Sequence, residues 1–234
     1  MLLFALPAVV QAQFSYTINN GAVTITGYTG PGGVVTIPGA LAGLPVTSIG
    51  YRAFWKQGLN MIILPNTITN IGQQAFYECG YLTNAVIPNS VISLGDGAFS
   101  FCTGLTSISL GNSVTSIGRC TFYSCYNLSR VAIPNSVTSI DVAAFGACSR
   151  LTSVTIPNTV TSIGDQAFLN CGNLGAVYFK GNAPGLGGSD VFSGDNATAY
   201  YLRYDGLERD VWSSADRVVG SSADHPDGSP NPDD

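Results

Sequence analysis

The fold is decided by residues 61–175, where five blocks of 23 residues follow one another and align without a gap. In order they read MIILPNTITNIGQQAFYECGYLT (61–83), NAVIPNSVISLGDGAFSFCTGLT (84–106), SISLGNSVTSIGRCTFYSCYNLS (107–129), RVAIPNSVTSIDVAAFGACSRLT (130–152) and SVTIPNTVTSIGDQAFLNCGNLG (153–175). A looser sixth copy, Val34–Asn60, precedes them with an insertion at residues 40–45 and without the cysteine. A degenerate copy follows and ends in Val191-Phe192. A fixed period of this length indicates a repeat architecture.

Apolar residues recur at fixed positions of the block. The columns are Phe54, Phe76, Phe99, Phe122, Phe145 and Phe168; Ile49, Ile71, Leu94, Ile117, Ile140 and Ile163; and Leu82, Leu105, Leu128, Leu151 and Leu174. Such columns are typical of a solenoid, because one coil cannot bury its apolar side and needs neighbours stacked on it.

The order of residues within a block predicts the shape of one coil. In the last full block, residues 151–157 alternate between apolar and polar and end in a proline, which favours a short strand. Residues 160–164 favour a second extended piece, and residues 165–171 favour one or two helical turns with Asp165 as N-cap. The sequence therefore predicts an α/β solenoid of about six 23-residue coils, each with a strand, an extended segment and a short helix.

The block pattern L-x-x-V-x-I-P-x-x-V-x-x-I-G-x-x-A-F-x-x-C resembles the BspA-type, or Treponema-type, leucine-rich repeat over residues 34–174. The resemblance implies a curved α/β solenoid, a role in binding proteins that includes adhesion to cell surfaces, and no enzymatic activity. Departures from the pattern are the insertion in the first copy, Leu110-Gly111 in place of Ile-Pro, and Asp141 in place of Gly. The family defines no ligand-contact residues that can be carried over to this chain.

The two ends of the chain differ from the repeats. Leu2–Val10 is a short apolar run followed by Val10-Gln11-Ala12, a pattern typical of a signal peptide and its cleavage site. Asn20-Gly21 predicts the turn of a β-hairpin. The predicted organisation is a signal peptide at 1–12, an N-terminal β-hairpin cap at 13–33, the solenoid at 34–175, a C-terminal cap at 176–202 and an acidic, disordered tail at 203–234.

The sequence also predicts local structure at the C-terminal end and a location for the protein. In the C-terminal cap, residues 176–179 and 197–202 are expected to be closing strands, with a loop at 181–196 between them. A short helix around Trp212 is an alternative to disorder in the first part of the tail. A signal peptide predicts a secreted or cell-surface protein.

Composition and charge exclude several classes of protein. The chain has 234 residues, of which 45% are hydrophobic and only 10% charged, which excludes a chain disordered throughout. No apolar run approaches the roughly 20 residues that span a bilayer, so a membrane-spanning protein is not expected. Nine basic and fourteen acidic residues disfavour a nucleic-acid partner. The tail from Arg203 onward, with three arginines and eight acids, carries the whole net charge of −5.

Five of the six cysteines form a fourth column, namely Cys79, Cys102, Cys125, Cys148 and Cys171. Neighbouring coils bring such cysteines close enough for disulfides, but five residues in one column cannot all pair. We therefore expect a structural ladder of buried, reduced thiols that fill the same slot in each coil. Cys120 lies outside the ladder, and it is either exposed and reactive or a tolerated substitution.

Catalytic and metal-binding chemistry is poorly represented. His225, the only histidine, lies in the tail, so the repeats contain no Ser-His or Cys-His pair. No Cys-x-x-Cys pair points to zinc, and the repeat glycines fall at turns without a phosphate-binding pattern. The sequence predicts no enzyme, no catalytic residue, no metal site and no cofactor.

Aromatic residues beyond the Phe column are concentrated in the first four copies, and they are Tyr51, Trp55, Tyr77, Tyr81, Phe101, Tyr123 and Tyr126. They form a possible binding surface for a protein, an alternative platform for sugar rings, or a packing layer between coils. The first hypothesis is a secreted or surface protein that binds an extracellular or cell-surface protein. A carbohydrate-binding module and an architectural envelope component are the alternatives.

Overall fold

The structure is a computed structural model that describes residues 12–202 and 208–213, with the backbone alone for residues 202 and 208–213. The regular elements in these ranges are β-strands. Their bounds are β1 Phe14–Asn19, β2 Ala22–Tyr28, β3 Gly33–Thr36, β4 Ala40–Leu41, β5 Leu44–Ile49, β6 Leu59–Ile63, β7 Asn70–Ile71, β8 Asn84–Val86, β9 Ser93–Leu94, β10 Ser107–Ser109, β11 Ser116–Ile117, β12 Arg130–Ala132, β13 Ser139–Ile140, β14 Ser153–Ile156, β15 Ser162–Ile163, β16 Ala176–Phe179, β17 Gly185–Leu186, β18 Thr198–Leu202 and β19 Glu208–Ser213.

The strands form a succession of short parallel sheets, and the chain winds through them as a β-solenoid of about eight turns. One face contains the longer strands, in the orders β3-β6-β8-β10-β12 and β14-β16-β18. A second face contains mostly two-residue strands, in the orders β2-β5-β7-β9 and β11-β13-β15-β17. Ser107 lies opposite both Asn84 and Arg130, so each coil is one 23-residue block and the predicted repeat register is confirmed.

The core runs along the solenoid axis as files of identical side chains. The six repeat phenylalanines are fully buried. Neighbouring rings from Phe54 to Phe192 are stacked with centroids 5.0–5.8 Å apart. Burying each ring contributes about 2–3 kcal/mol, and the stacked geometry adds about 1 kcal/mol per pair. The files explain why the repeat keeps a phenylalanine in every copy.

The predicted short helix is wrong. Residues 165–171 and their equivalents form consecutive turns, because every second amide is donated to the next coil. Phe76 N–H donates to the Ala98 carbonyl of the next coil (2.8 Å), whereas Tyr77 N–H donates to the Gln74 carbonyl within the turn (3.1 Å). Gln74 and Glu78 adopt φ of +54° and +58° to allow this alternation. An α-helix would keep all these bonds within one coil. Asp165 is therefore no helix cap.

The N-terminal end is closed by hairpins. β1 and β2 pair antiparallel, with Asn20 and Gly21 at positive φ in the turn. Tyr28 and Phe14 cover the end of the Phe file, since the Tyr28 ring lies 5.4 Å from that of Phe54. The insertion of the first copy forms a second hairpin, β4–β5, around residues 42–43, so it leaves the coil intact.

The C-terminal end contains one more coil than the sequence predicts. The segment expected to be a loop, 181–196, holds β17 and a full set of turns, and Phe192 stacks on Phe168 with centroids 5.3 Å apart. β18 adds to β16 in parallel, and β19 pairs antiparallel with β18. The backbone around Trp212 is thus a strand and not the alternative helix. Residues 1–11 of the signal peptide predicted at 1–12 lie outside the described residues, as do residues 203–207 and 214–234 of the disordered tail predicted at 203–234, whereas residues 208–213 of that tail form β19.

Candidate interaction surface

The turns form the third side of the solenoid, and they present the predicted aromatic residues. In each block the phenylalanine points inward, and the next residue lies on the outer side of the turn, where Trp55 is exposed whereas Ser100 and Gly146 are covered and buried. This outward column reads Trp55, Tyr77, Ser100, Tyr123, Gly146 and Leu169. The same backbone therefore carries a large ring in three of the first four copies, with Ser100 in the other, and Gly146 or Leu169 in the last two full copies.

Three of the seven aromatic residues form a half-buried layer over the core. The Tyr77 and Phe101 rings lie 5.4 Å apart, and those of Phe101 and Tyr123 lie 5.6 Å apart. The Tyr123 ring continues over Gly146, where a Cβ would stand 3.0 Å from it. These contacts link adjacent coils, which fits the packing alternative for these three residues.

The other four aromatic residues are exposed. The exposed fraction is 58% for Tyr51, 42% for Trp55, 73% for Tyr81 and 44% for Tyr126. Tyrosine and tryptophan are among the residue types that dominate protein interfaces. The structure thus divides the predicted set into a packed layer and an exposed group.

Two cationic side chains lie beside the first exposed rings. The Arg52 guanidinium is 5.1 Å from the Tyr51 ring centroid and 5.2 Å from that of Trp55. The Lys56 ammonium lies 5.0 Å from the Trp55 centroid and 3.2 Å from a carboxylate oxygen of Glu78. We call Tyr51, Arg52, Trp55 and Lys56 the cation–aromatic cluster. The sequence lists these residues but does not show that they stack.

The strand face carries a groove that sequence reasoning missed. It has a volume of about 570 Å³ and is lined by Met61, Ile63, Val86, Asn84 and Gly111 among others. Met61, Ile63 and Val86 are exposed apolar side chains at outward strand positions. The signal was present in the sequence, because in the full copies from residue 107 onward the same two columns hold only serine, alanine, threonine or arginine.

The cysteine column lies inside the solenoid. Its five members are buried and unpaired, and each thiol donates to the backbone carbonyl of a phenylalanine of the preceding coil at 3.0–3.2 Å. Burial raises the pKa of Cys79 and of Cys125 to about 12, so these thiols stay neutral at physiological pH. Cys120 is half-buried at φ +54°, at the turn position that holds Gln74 and Gly97 in other coils.

Metal-binding clusters and membrane-spanning helices are absent from the part of the chain that the structure describes. Residues 12–202 and 208–213 contain no group of three or more His, Cys, Asp or Glu that could hold a metal ion. Within the same ranges, no helix has the length and apolar character needed to cross a membrane.

Comparison with known sequences and structures gives a consistent result. The profile of the BspA type leucine rich repeat region matches residues 69–198 as six copies. The crystal structure of a leucine rich repeat protein from T. pallidum is 30% identical, with a TM-score of 0.54, and the match covers 74% of this chain and 70% of that one. Curated proteins yield no match.

Two further crystal structures are similar. A leucine rich cell surface protein from Faecalibacterium prausnitzii is 30% identical (TM-score 0.55), over 84% of this chain and 58% of that one. A leucine-rich repeat protein from Eubacterium ventriosum is 24% identical (TM-score 0.64), over 83% of this chain and 54% of that one, which shows the fold. This chain spans little more than half of these two proteins. Because the repeat profile covers more than half of its sequence, the chain belongs to the family of BspA-type leucine-rich repeat proteins.

Proposed function

We propose that this chain is a non-catalytic interaction protein that works outside the cell and binds another protein through the cation–aromatic cluster. The observation that carries the proposal is the exposure of Tyr51 and Trp55 beside Arg52 on a rigid coil. Tryptophan, tyrosine and arginine are the three residue types most enriched among interface residues whose truncation weakens binding strongly. Family membership supports a protein-binding role.

Rigidity of the scaffold strengthens this proposal. Trp55 follows Phe54 in the chain, and the Phe54 amide is fixed to the next coil by a hydrogen bond of 2.8 Å to the Ala75 carbonyl. Arg52 is held by a hydrogen bond of 2.7 Å from its Nε to Gln74. A surface that is ordered before binding loses less conformational entropy when a partner docks.

An extracellular location is part of the proposal. It rests on the predicted signal segment at 1–12 and on the similarity to a bacterial cell surface protein. Adhesion to a host or neighbouring cell is the finer form of the same proposal.

A carbohydrate partner is the second candidate, and the exposed ring of Tyr81 favours it. Sugar rings stack on aromatic faces, and Tyr81 is the most exposed of the seven aromatic residues. Trp55 is less suited to such stacking, because Arg52 and Lys56 already lie over its ring. The cluster therefore fits a protein better than a sugar.

The proposal is tested by surface plasmon resonance of the purified chain against a panel of extracellular-matrix and envelope proteins, with a glycan array in parallel. For a protein that binds, Trp55→Ala is expected to weaken the affinity about thirtyfold, the size of a typical interface anchor. Leu169→Ala is the matched control, since Leu169 occupies the same column in a later coil. It is expected to leave the affinity unchanged.

Two results would contradict the protein-binding proposal. One is equal affinity of the wild type, the Tyr51→Ala variant and the Trp55→Ala variant for a bound protein. The other is binding on the glycan array alone, which would establish the carbohydrate candidate if Tyr81→Ala abolished it. An architectural role predicts neither interaction and would appear as self-assembly of the wild type.

A further inference from the structure

Asp195 occupies the position of the cysteine ladder in the last coil. Its amide donates to the Phe192 carbonyl at 3.3 Å, as the Cys171 amide donates to the Phe168 carbonyl at 3.2 Å. Phe192 stacks on Phe168 as Phe168 stacks on Phe145, with 5.3 Å between centroids in both pairs. The carboxyl group of Asp195 therefore stands where the preceding coils have a thiol.

The thiols show what this slot requires of a side chain. Each ladder cysteine donates its S–H to a phenylalanine carbonyl of the preceding coil, for example Cys171 to Phe145 at 3.1 Å. The next carbonyl in this series is that of Phe168, and among the described residues it receives the Cys171 amide but no side-chain donor. An ionised carboxylate cannot supply the missing bond, because it only accepts hydrogen bonds, whereas a protonated carboxyl group can donate one.

The surroundings of Asp195 disfavour its charge. The residue is only 7% exposed, and no described N–H or O–H group donates a hydrogen bond to either carboxyl oxygen. Burial raises the pKa of Asp195 to about 7, and the nearby Cys171 amide only partly opposes this effect.

The titratable groups on the neighbouring elements include no cation whose side chain the structure describes. The preceding turns contain Asp165 and Cys171, its own turn contains Asp190, β18 contains Tyr200 and Tyr201, and β19 contains Glu208, Arg209 and Asp210. Of the described side chains in this set, none is a cation. Among the described groups, burial has the largest effect on the carboxyl group, and the Cys171 amide opposes it.

We propose that Asp195 is a protonated hydrogen-bond donor to the Phe168 carbonyl, so that the last turn of the solenoid closes in acid and opens when the carboxyl group ionises. Ionisation releases the proton to water and leaves two buried acceptors facing a carbonyl oxygen. The opening frees residues 176–202, which cover the C-terminal end of the core.

The direction of the pH dependence follows from linkage. The closed state holds the proton up to about pH 7, while an exposed aspartic acid releases it near its ordinary pKa of 3.8. The stability of the last turn is therefore greatest in acid, and it is lost as the pH rises from about 4 to about 7. Between pH 5 and pH 8 the open fraction should rise roughly tenfold to a hundredfold.

The test is hydrogen–deuterium exchange of the full chain between pH 5 and pH 8, with rates corrected for the intrinsic effect of pH. Peptides from residues 176–202 are expected to lose protection by roughly tenfold to a hundredfold over this range, and peptides from residues 107–129 are the internal reference. Asp195→Cys completes the thiol ladder, and Asp195→Asn supplies a neutral donor. Both variants are expected to remove the pH dependence.

Asp190→Asn is the matched control, because it removes an exposed acid from the same turn and is expected to follow the wild type. The proposal is overturned if protection of residues 176–202 in the wild type is the same at pH 5 and pH 8. It is also overturned if Asp195→Cys keeps the wild-type pH profile. If both Asp195 variants fail to fold, the wild-type profile alone decides between the two outcomes.

Discussion

The turns of the N-terminal coils and those of the C-terminal coils share one backbone but carry different side chains. The Phe54 amide donates to Ala75 at 2.8 Å, and the Phe145 amide donates to Ala167 at 2.7 Å, so the bonds between coils are the same in both halves. Trp55 follows Phe54, whereas the buried Gly146 follows Phe145. The fold is therefore compatible with small residues at these positions, and it does not require the N-terminal aromatic residues.

The inward positions of the repeat are required by the fold, whereas the outward positions are free to vary. Inward columns are nearly invariant because a change in one coil disturbs its neighbours. Outward positions vary, and the exposed rings cluster in one half. Phe101 even takes φ of +59°, a region that bulky residues rarely occupy, in a column where the later coil has Ala147. This pattern favours a specialised N-terminal surface on a uniform scaffold.

The largest effect is expected in the Phe file. Phe99→Ala and Phe145→Ala should each lower the free energy of unfolding by about 3–5 kcal/mol, because each leaves a cavity between two stacked rings. Urea denaturation followed by circular dichroism measures the change, and Ile63→Ala on the exposed strand face is the control. If either Phe99→Ala or Phe145→Ala left the free energy of unfolding unchanged, the core would not be uniform along the solenoid.

The second-largest loss of stability is expected where a glycine allows two coils to approach closely. A Cβ at Gly95 would stand 2.6 Å from the Gly72 carbonyl carbon, and one at Gly164 would stand 2.7 Å from the Asp141 carbonyl carbon. Each glycine-to-alanine change should therefore cost about 1–3 kcal/mol in urea denaturation. Gly172→Ala, where the Cβ enters open space, should be nearly neutral. Equal stability of all three variants would show that the coils are more loosely stacked than described.

A smaller effect of opposite sign is expected at the left-handed turn positions. Ala147 has φ of +58°, so Ala147→Gly should raise the free energy of unfolding by about 1 kcal/mol. Ala167→Gly in the buried column should lower it by removing a packed methyl group. Thermal unfolding of both variants provides the measurement, and destabilisation by Ala147→Gly would argue against the alternating turns.

Much of the fold could be predicted from the sequence, because the apolar positions that recur in every repeat are the positions that form the core. The columns at Phe99 and Cys102 predict inward positions, and both residues are fully buried. The helix could not be excluded, since Gln74 and Glu78 have no preference for positive φ. Only the amide bonds to the next coil impose that conformation. The last coil was recognised only as a degenerate copy and was assigned to the C-terminal cap, because Val191 and Asp195 replace the alanine and cysteine of the repeat.

The candidate surface was predicted only in part. The sequence identified Trp55 and Tyr77 as one set, but burial separates an exposed ring from a packed one. The position of Arg52 over two rings depends on side-chain conformation, which no spacing in the sequence reveals. The groove near Met61 could not be predicted from the repeat pattern, because its exposed apolar residues occur in only two copies and the groove itself depends on how those coils stack.

The central claim is that inward columns fold the chain, whereas Tyr51 and Trp55 are free to serve binding. The most direct test is the free energy of unfolding of the Tyr51→Ala/Trp55→Ala double variant in urea, beside that of Phe54→Ala. The account predicts a loss below about 1 kcal/mol for the double variant and about 3–5 kcal/mol for Phe54→Ala. A loss of about 3 kcal/mol or more in the double variant would show that these rings are part of the core, and would contradict the claim.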